Sequence, residues 1–142
     1  MVEVPESAIQ GVGDVIRLAV APVFLLSGVG IMLTVFTNRL ARVVDRSREM
    51  EHKPELQSDI ETLARRGRLL SHAIALCTIC ALLVSVVVVV LFLGESFNFR
   101  VAYIIDALFI AAMLSFIGAI LYFLREVFIA TASLRIGLHR RP

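Results

Sequence analysis

Three apolar runs organise the chain, Leu18 to Phe36, Leu69 to Leu93 and Val101 to Leu124. At 1.5 Å per helical residue, each is long enough to cross a hydrocarbon layer, which needs about 20 mostly apolar residues. The polar stretch between the first two runs has a rhythm of its own. Leu40, Val43 and Val44 recur at i, i+3, i+4, and Leu56, Ile60, Leu63 and Leu70 at i, i+4, i+7, i+14, spacings that gather apolar side chains on one stripe of a helix. Between the two arms stands "EHKPE", where Pro54 disfavours helix just before it and can start one itself. No break separates either arm from its membrane run, so spans one and two predict long helices that project roughly 20 Å beyond the membrane, at about 14 residues per arm. Folding back at 52–54 sets Val44 opposite Leu63 and Met50 opposite Leu56, with Ile60 in the same seam. It also brings Arg46 toward Asp59 and Arg42 toward Glu61; exposed pairs of this kind contribute only about 0–1 kcal/mol each, so they set register more than stability.

The fold expected is therefore an all-α membrane protein with three transmembrane helices, the first two extended into a cytoplasmic helical hairpin. By position this gives an outer N-terminal segment at 1–16, span one at 17–37, the hairpin at 38–68, span two at 69–93, an outer loop at 94–100, span three at 101–124 and a cytoplasmic tail at 125–142. Composition agrees: 58% of the 142 residues are hydrophobic and the mean hydropathy is +0.87, against roughly 45–50% apolar residues in soluble domains. The first sixteen residues carry Glu3, Glu6 and Asp14 and no Lys or Arg, unlike the basic start of a cleaved signal peptide.

Charge decides the expected orientation. Of the 14 Lys and Arg residues, eight lie between spans one and two and four follow span three, leaving Arg17 and Arg100 for the other side. Basic residues in short flanking segments stay in the cytoplasm, which predicts the N-terminus outside and the C-terminus inside. The arginines of "TNRLARVVDRSREM" then read first as a positive-inside anchor. Nucleic acid is not an expected partner, because Asp45, Glu49, Glu51, Glu55, Asp59 and Glu61 nearly neutralise the eight basic residues and the segment has no Phe, Tyr or Trp to stack on bases.

Polar positions inside the apolar runs are the candidate functional residues. Along span one, Ser27, Gly30, Thr34, Thr37, Asn38 and Asp45 fall within about 100° of the helix circumference at about 100° per residue. One reading is close helix packing through small residues; the other is a water-facing surface in an oligomer, leading to a ring of Asp45 carboxylates. Pro22 marks a kink site. Asp106, about 9 Å inside span three, calls for a partner or a function, and Arg17 at the outer end of span one is the candidate for an intramembrane ion pair. Cys77 and Cys80 form a "CTIC" spacing, but mid-helix, without the helix N-terminus or nearby histidines that reactive or zinc-binding thiols use. His72 sits near the inner boundary, where a histidine is most often simply a polar residue. The soluble parts hold no paired carboxylates, Ser-His-Asp set or Gly-rich phosphate loop, so no enzyme, metal or cofactor is expected. The tail's Val127, Phe128, Leu134 and Ile136 with its basic end suit a helix on the membrane or against the hairpin.

The stretches "NRLARVVDRSREM" and "LARRGRLLSHAIALCTICALL" resemble a family of small bacterial membrane proteins catalogued as a domain of unknown function. The similarity runs from Asn38 to about Leu93 and rests on an Asn-Arg-Leu-x-Arg-x-x-Asp-Arg pattern at Asn38, Arg39, Leu40, Arg42, Asp45 and Arg46. The resemblance implies three spans and a bacterial inner membrane, with no assigned activity. Three spans are too few to enclose an aqueous path, and no inverted repeat suggests half a transporter, so function is expected to require assembly. Two classes of role follow: a homo-oligomeric cation-conducting channel lined by span one, or a structural or adaptor subunit in which the same stripe is dry packing and the hairpin docks a cytoplasmic protein partner.

Overall fold

The computed structural model describes the backbone of residues 6–50, 57–93 and 100–137 and, within these, the side chains of 13, 14, 16–50, 60–93 and 102–132. Each stretch is one helix: α1 Glu6–Met50, α2 Gln57–Leu93 and α3 Arg100–Gly137. The apolar runs and the polar arms are thus continuous, and α1 passes through Pro22 without ending. The break at 52–54 and the side chains of Leu56, Asp59, Leu134 and Ile136 lie outside the described residues. Three helices are long and apolar enough to cross a membrane, and their outward surface stays apolar, with Phe24, Ile31, Leu82, Tyr103, Leu114 and Phe128 all largely exposed. A surface of this kind matches lipid rather than water. The protein is a multi-pass membrane protein.

Helix α2 lies in the middle, packed along both α1 and α3. Its buried residues follow a seven-residue rhythm: Leu63, Leu70, Cys77 and Val84 on one line, Ala73, Cys80 and Val87 on the next. The partners keep the same period, with Val29, Phe36 and Val43 on α1 and Ala112 and Ala119 on α3. A heptad repeat keeps one seam facing its neighbour along long helices. The seam mixes large side chains, Phe36, Leu63 and Leu70, with small ones, Ala73, Cys77, Cys80, Ala112 and Ala119, and the small ones let helices approach closely in lipid, where tails as apolar as leucine give no gain from hiding side chains from water. Two contacts show how close: the Cys77 thiol donates to the Val29 carbonyl at 3.6 Å, and a Cβ added at Gly118 would lie 3.1 Å from Leu76 Cδ1.

The hairpin seam differs from the sequence expectation by one residue. Val43, 9% exposed, packs with Leu63 and Leu70, supported by Leu40 and Met50, while Val44 is 39% exposed. Val43 continues the seven-residue line of Val29 and Phe36, and Val44 lies about 100° further round. Ile60 is half-buried and outside that cluster.

Candidate functional site

Where the apolar segments end, the three helices converge on one carboxylate. Glu126 of α3 is completely buried. Arg66 of α2 donates to its Oε1 through Nε at 3.0 Å and through Nη2 at 2.8 Å, and Arg39 of α1 donates to Oε2 through Nη1 at 3.1 Å. Every carboxylate oxygen is engaged, and among the described residues no buried side-chain nitrogen or oxygen is left unsatisfied. Charge-assisted, forked contacts of this type are the stronger hydrogen bonds of proteins, and removing one member strands the others in a poorly solvated place.

The heptad explains how these residues meet. Glu126 continues the α3 line seven residues beyond Ala119, and Arg66 continues the α2 line seven before Ala73. Both continue seam lines that hold Ala, Cys or Val elsewhere. The aromatic neighbours fix Arg39: its guanidinium carbon lies 5.2 Å from the Phe123 ring centroid, a cation–π distance, and Phe123 is itself 4.8 Å from Phe36. Further along α2, His72 stacks on Tyr122 at 5.5 Å and its Nδ1 donates to the Arg68 carbonyl at 2.6 Å.

A groove of about 290 Å³ opens above this junction. Its walls are Arg39, Arg42, Arg46 and Arg66, and Val43, Leu63 and Glu126 complete the lining. Arg39, Arg42 and Arg46 stand at i, i+3, i+7, a ridge along one side of α1. Four cations face one anion whose oxygens are already taken. The lining is therefore predominantly cationic.

The other residues singled out in the sequence lie elsewhere. Ser27, Gly30, Thr34, Thr37, Asn38 and Asp45 are all exposed, on the side of α1 turned away from the Val29–Phe36–Val43 seam. Each hydroxyl closes on its own helix, Ser27 to the Val23 carbonyl at 3.3 Å, Thr34 to Gly30 at 3.0 Å and Thr37 to Leu33 at 2.9 Å. Arg17 and Asp106 are both exposed, and no ion pair joins them among the described residues. Arg42 and Glu61 are likewise exposed and unbridged, and the Arg46–Asp59 pair falls on a side chain outside the described residues. Cys77 and Cys80 are free and buried in the packing seam. In the sequence Arg66 counts only among the basic residues between spans one and two, and Glu126 is not singled out; the signal available was their place in the heptad.

No curated protein and no solved structure matches the chain. A family model does match, over residues 19–136, which takes in the packed length of all three helices and the Arg39, Arg66 and Glu126 junction. The chain therefore belongs to the family described as "Protein of unknown function (DUF2721)".

Proposed function

We propose that this is a homo-oligomeric protein of the bacterial inner membrane, without catalytic activity, whose copies join through the outer faces of α1 and α3 and whose helical hairpin docks a partner protein in the cytoplasm. The concentration of basic residues at the hairpin and after span three supports an outside N-terminus and a cytoplasmic C-terminus. The observation that carries the association is the stranded pair Arg17 and Asp106. Counting residue for residue from the Cys77–Val29 and Leu76–Gly118 contacts along the antiparallel helices puts Arg17 level with Val89 and Val89 level with Ile105. Arg17 and Asp106 thus lie within about a turn of the same depth, on the two outer helices. A charged residue facing lipid costs about 2.5–3.5 kcal/mol at mid-span and less toward the end, a cost that pairing across copies removes. The exposed small residues of α1 supply a surface for close helix approach beside it.

Size measurement by light scattering in mild detergent and in nanodiscs tests this. Asp106→Arg and Arg17→Asp should each reduce the assembly, and the two changes together should restore it. Wild-type protein that stays monomeric in both media would sink the proposal.

A second reading, the cation-conducting channel, draws on the outward placement of the whole stripe from Ser27 to Asp45. The self-satisfied hydroxyls weigh toward dry packing, since they need no water. Planar-bilayer recording separates the two: a channel gives cation-preferring current that Asp45→Lys makes less selective and Thr34→Leu makes smaller, whereas an adaptor gives none.

A further inference from the structure

We propose that the arginine-lined groove binds a phosphate ester, as the headgroup of an anionic phospholipid or as a free phosphorylated compound. The groove's volume, about 290 Å³, is at the small end of ligand sites and suits a headgroup or phosphate rather than a large organic molecule. Its charge is strongly one-sided, with four guanidinium groups and a single carboxylate. That carboxylate does not compete for the ligand. Glu126 spends its oxygens on Arg66 Nε and Nη2 and on Arg39 Nη1, and so holds both forks in position while leaving Arg39 Nε and Nη2 and Arg66 Nη1 without a partner within the junction. Phe123 beneath Arg39 adds a second restraint. Guanidinium groups fixed in this way lose little freedom on binding, and planar forks match phosphate oxygens.

Arg42 and Arg46 complete the ring. Both are exposed on the α1 ridge and make no ion pair with a described residue, so they can close over a ligand without disturbing the junction. Depth also fits. Arg39, Arg66 and Glu126 each lie within about one helical turn of the end of an apolar run, the level at which phospholipid phosphates sit, and basic pockets between helices at this level hold anionic headgroups. The site is built within one copy, so it stands or falls independently of the proposed oligomer.

The test titrates the detergent-purified full chain with phosphatidylglycerol, with phosphatidylcholine of the same acyl chains, and with inorganic phosphate, reading lipid by native mass spectrometry and phosphate by calorimetry. Saturable binding of phosphatidylglycerol over phosphatidylcholine supports a lipid source; saturable binding of inorganic phosphate without lipid preference supports a free phosphorylated ligand. In either case Arg42→Gln with Arg46→Gln should weaken binding by about tenfold or more, with helicity and melting unchanged. Arg48→Gln with Arg65→Gln, which removes equal charge from exposed positions outside the groove, should leave affinity unchanged. Equal weakening by both double variants means diffuse attraction and overturns the site, as does the absence of saturable binding of all three probes.

Discussion

The two ends of the bundle handle charge in opposite ways. At the arginine-rich end, a fully buried glutamate is shared by arginines from the other two helices, so that among the described residues the buried polar groups are matched inside one copy. At the other end, Arg17 and Asp106 have similar depth and opposite sign, yet both face outward and do not meet. The difference lies in the heptad. Glu126 and Arg66 fall on the seam lines, where neighbouring backbones bring them together, whereas Arg17 and Asp106 fall off those lines. The seam charges Glu126 and Arg66 become part of the fold and draw in Arg39 from beside the α1 line, whereas Arg17 and Asp106 are available to something else.

The largest expected effect comes from breaking the first end. Glu126→Ala leaves two guanidinium groups without their anion, and Arg66, with a side chain only 20% exposed, bears most of the penalty. Breaking such a buried junction costs about 3–5 kcal/mol, read as a large fall in melting temperature by circular dichroism in detergent. Changing Glu126→Leu together with Arg66→Met should be much milder than Glu126→Leu alone, since fewer charges remain stranded. Arg39→Ala should cost less than Arg66→Ala, because the Arg39 side chain is 43% exposed.

A smaller effect sharpens the seam argument. Val43→Asp should destabilise by a few kcal/mol, while Val44→Asp, one residue on, should stay within about 0.5 kcal/mol; equal losses in urea or thermal unfolding would mean that the seam does not pass through Val43. Midway along the bundle, Gly118→Leu should cost about 1–3 kcal/mol by overpacking against Leu76. Gly118→Ala should cost less, because the atom it meets is the end of a flexible side chain.

The smallest effect on a single copy is expected at the other end. Asp106→Asn should leave monomer melting within about 0.5 kcal/mol, since Asp106 makes no ion pair with a described residue. Its consequence should appear in assembly size. A large loss of monomer stability would mean that Asp106 already has a partner within its own copy, and the contrast between the ends would disappear.

What could be read from the sequence were properties that add up locally. Length and apolarity of a run decide whether a helix can cross a membrane, and residues 18–36, 69–93 and 101–124 state this without any contact being known. Continuity of the arms was legible too, because no helix-breaking residue separates them from the spans, whereas the apolar period put Val44 in the seam where the structure buries Val43. The Asn38-to-Arg46 pattern pointed to the family. What tertiary structure decided was which polar residues meet. Glu126 joins residues 60 and 87 positions away, separations over which no local pattern carries pairing information. In isolation Glu126 is a charge beside Arg125 at the end of an apolar run. Only when α2 lies between α1 and α3, with small seam residues letting the backbones approach, does that position become an interior site with two arginines aimed at it.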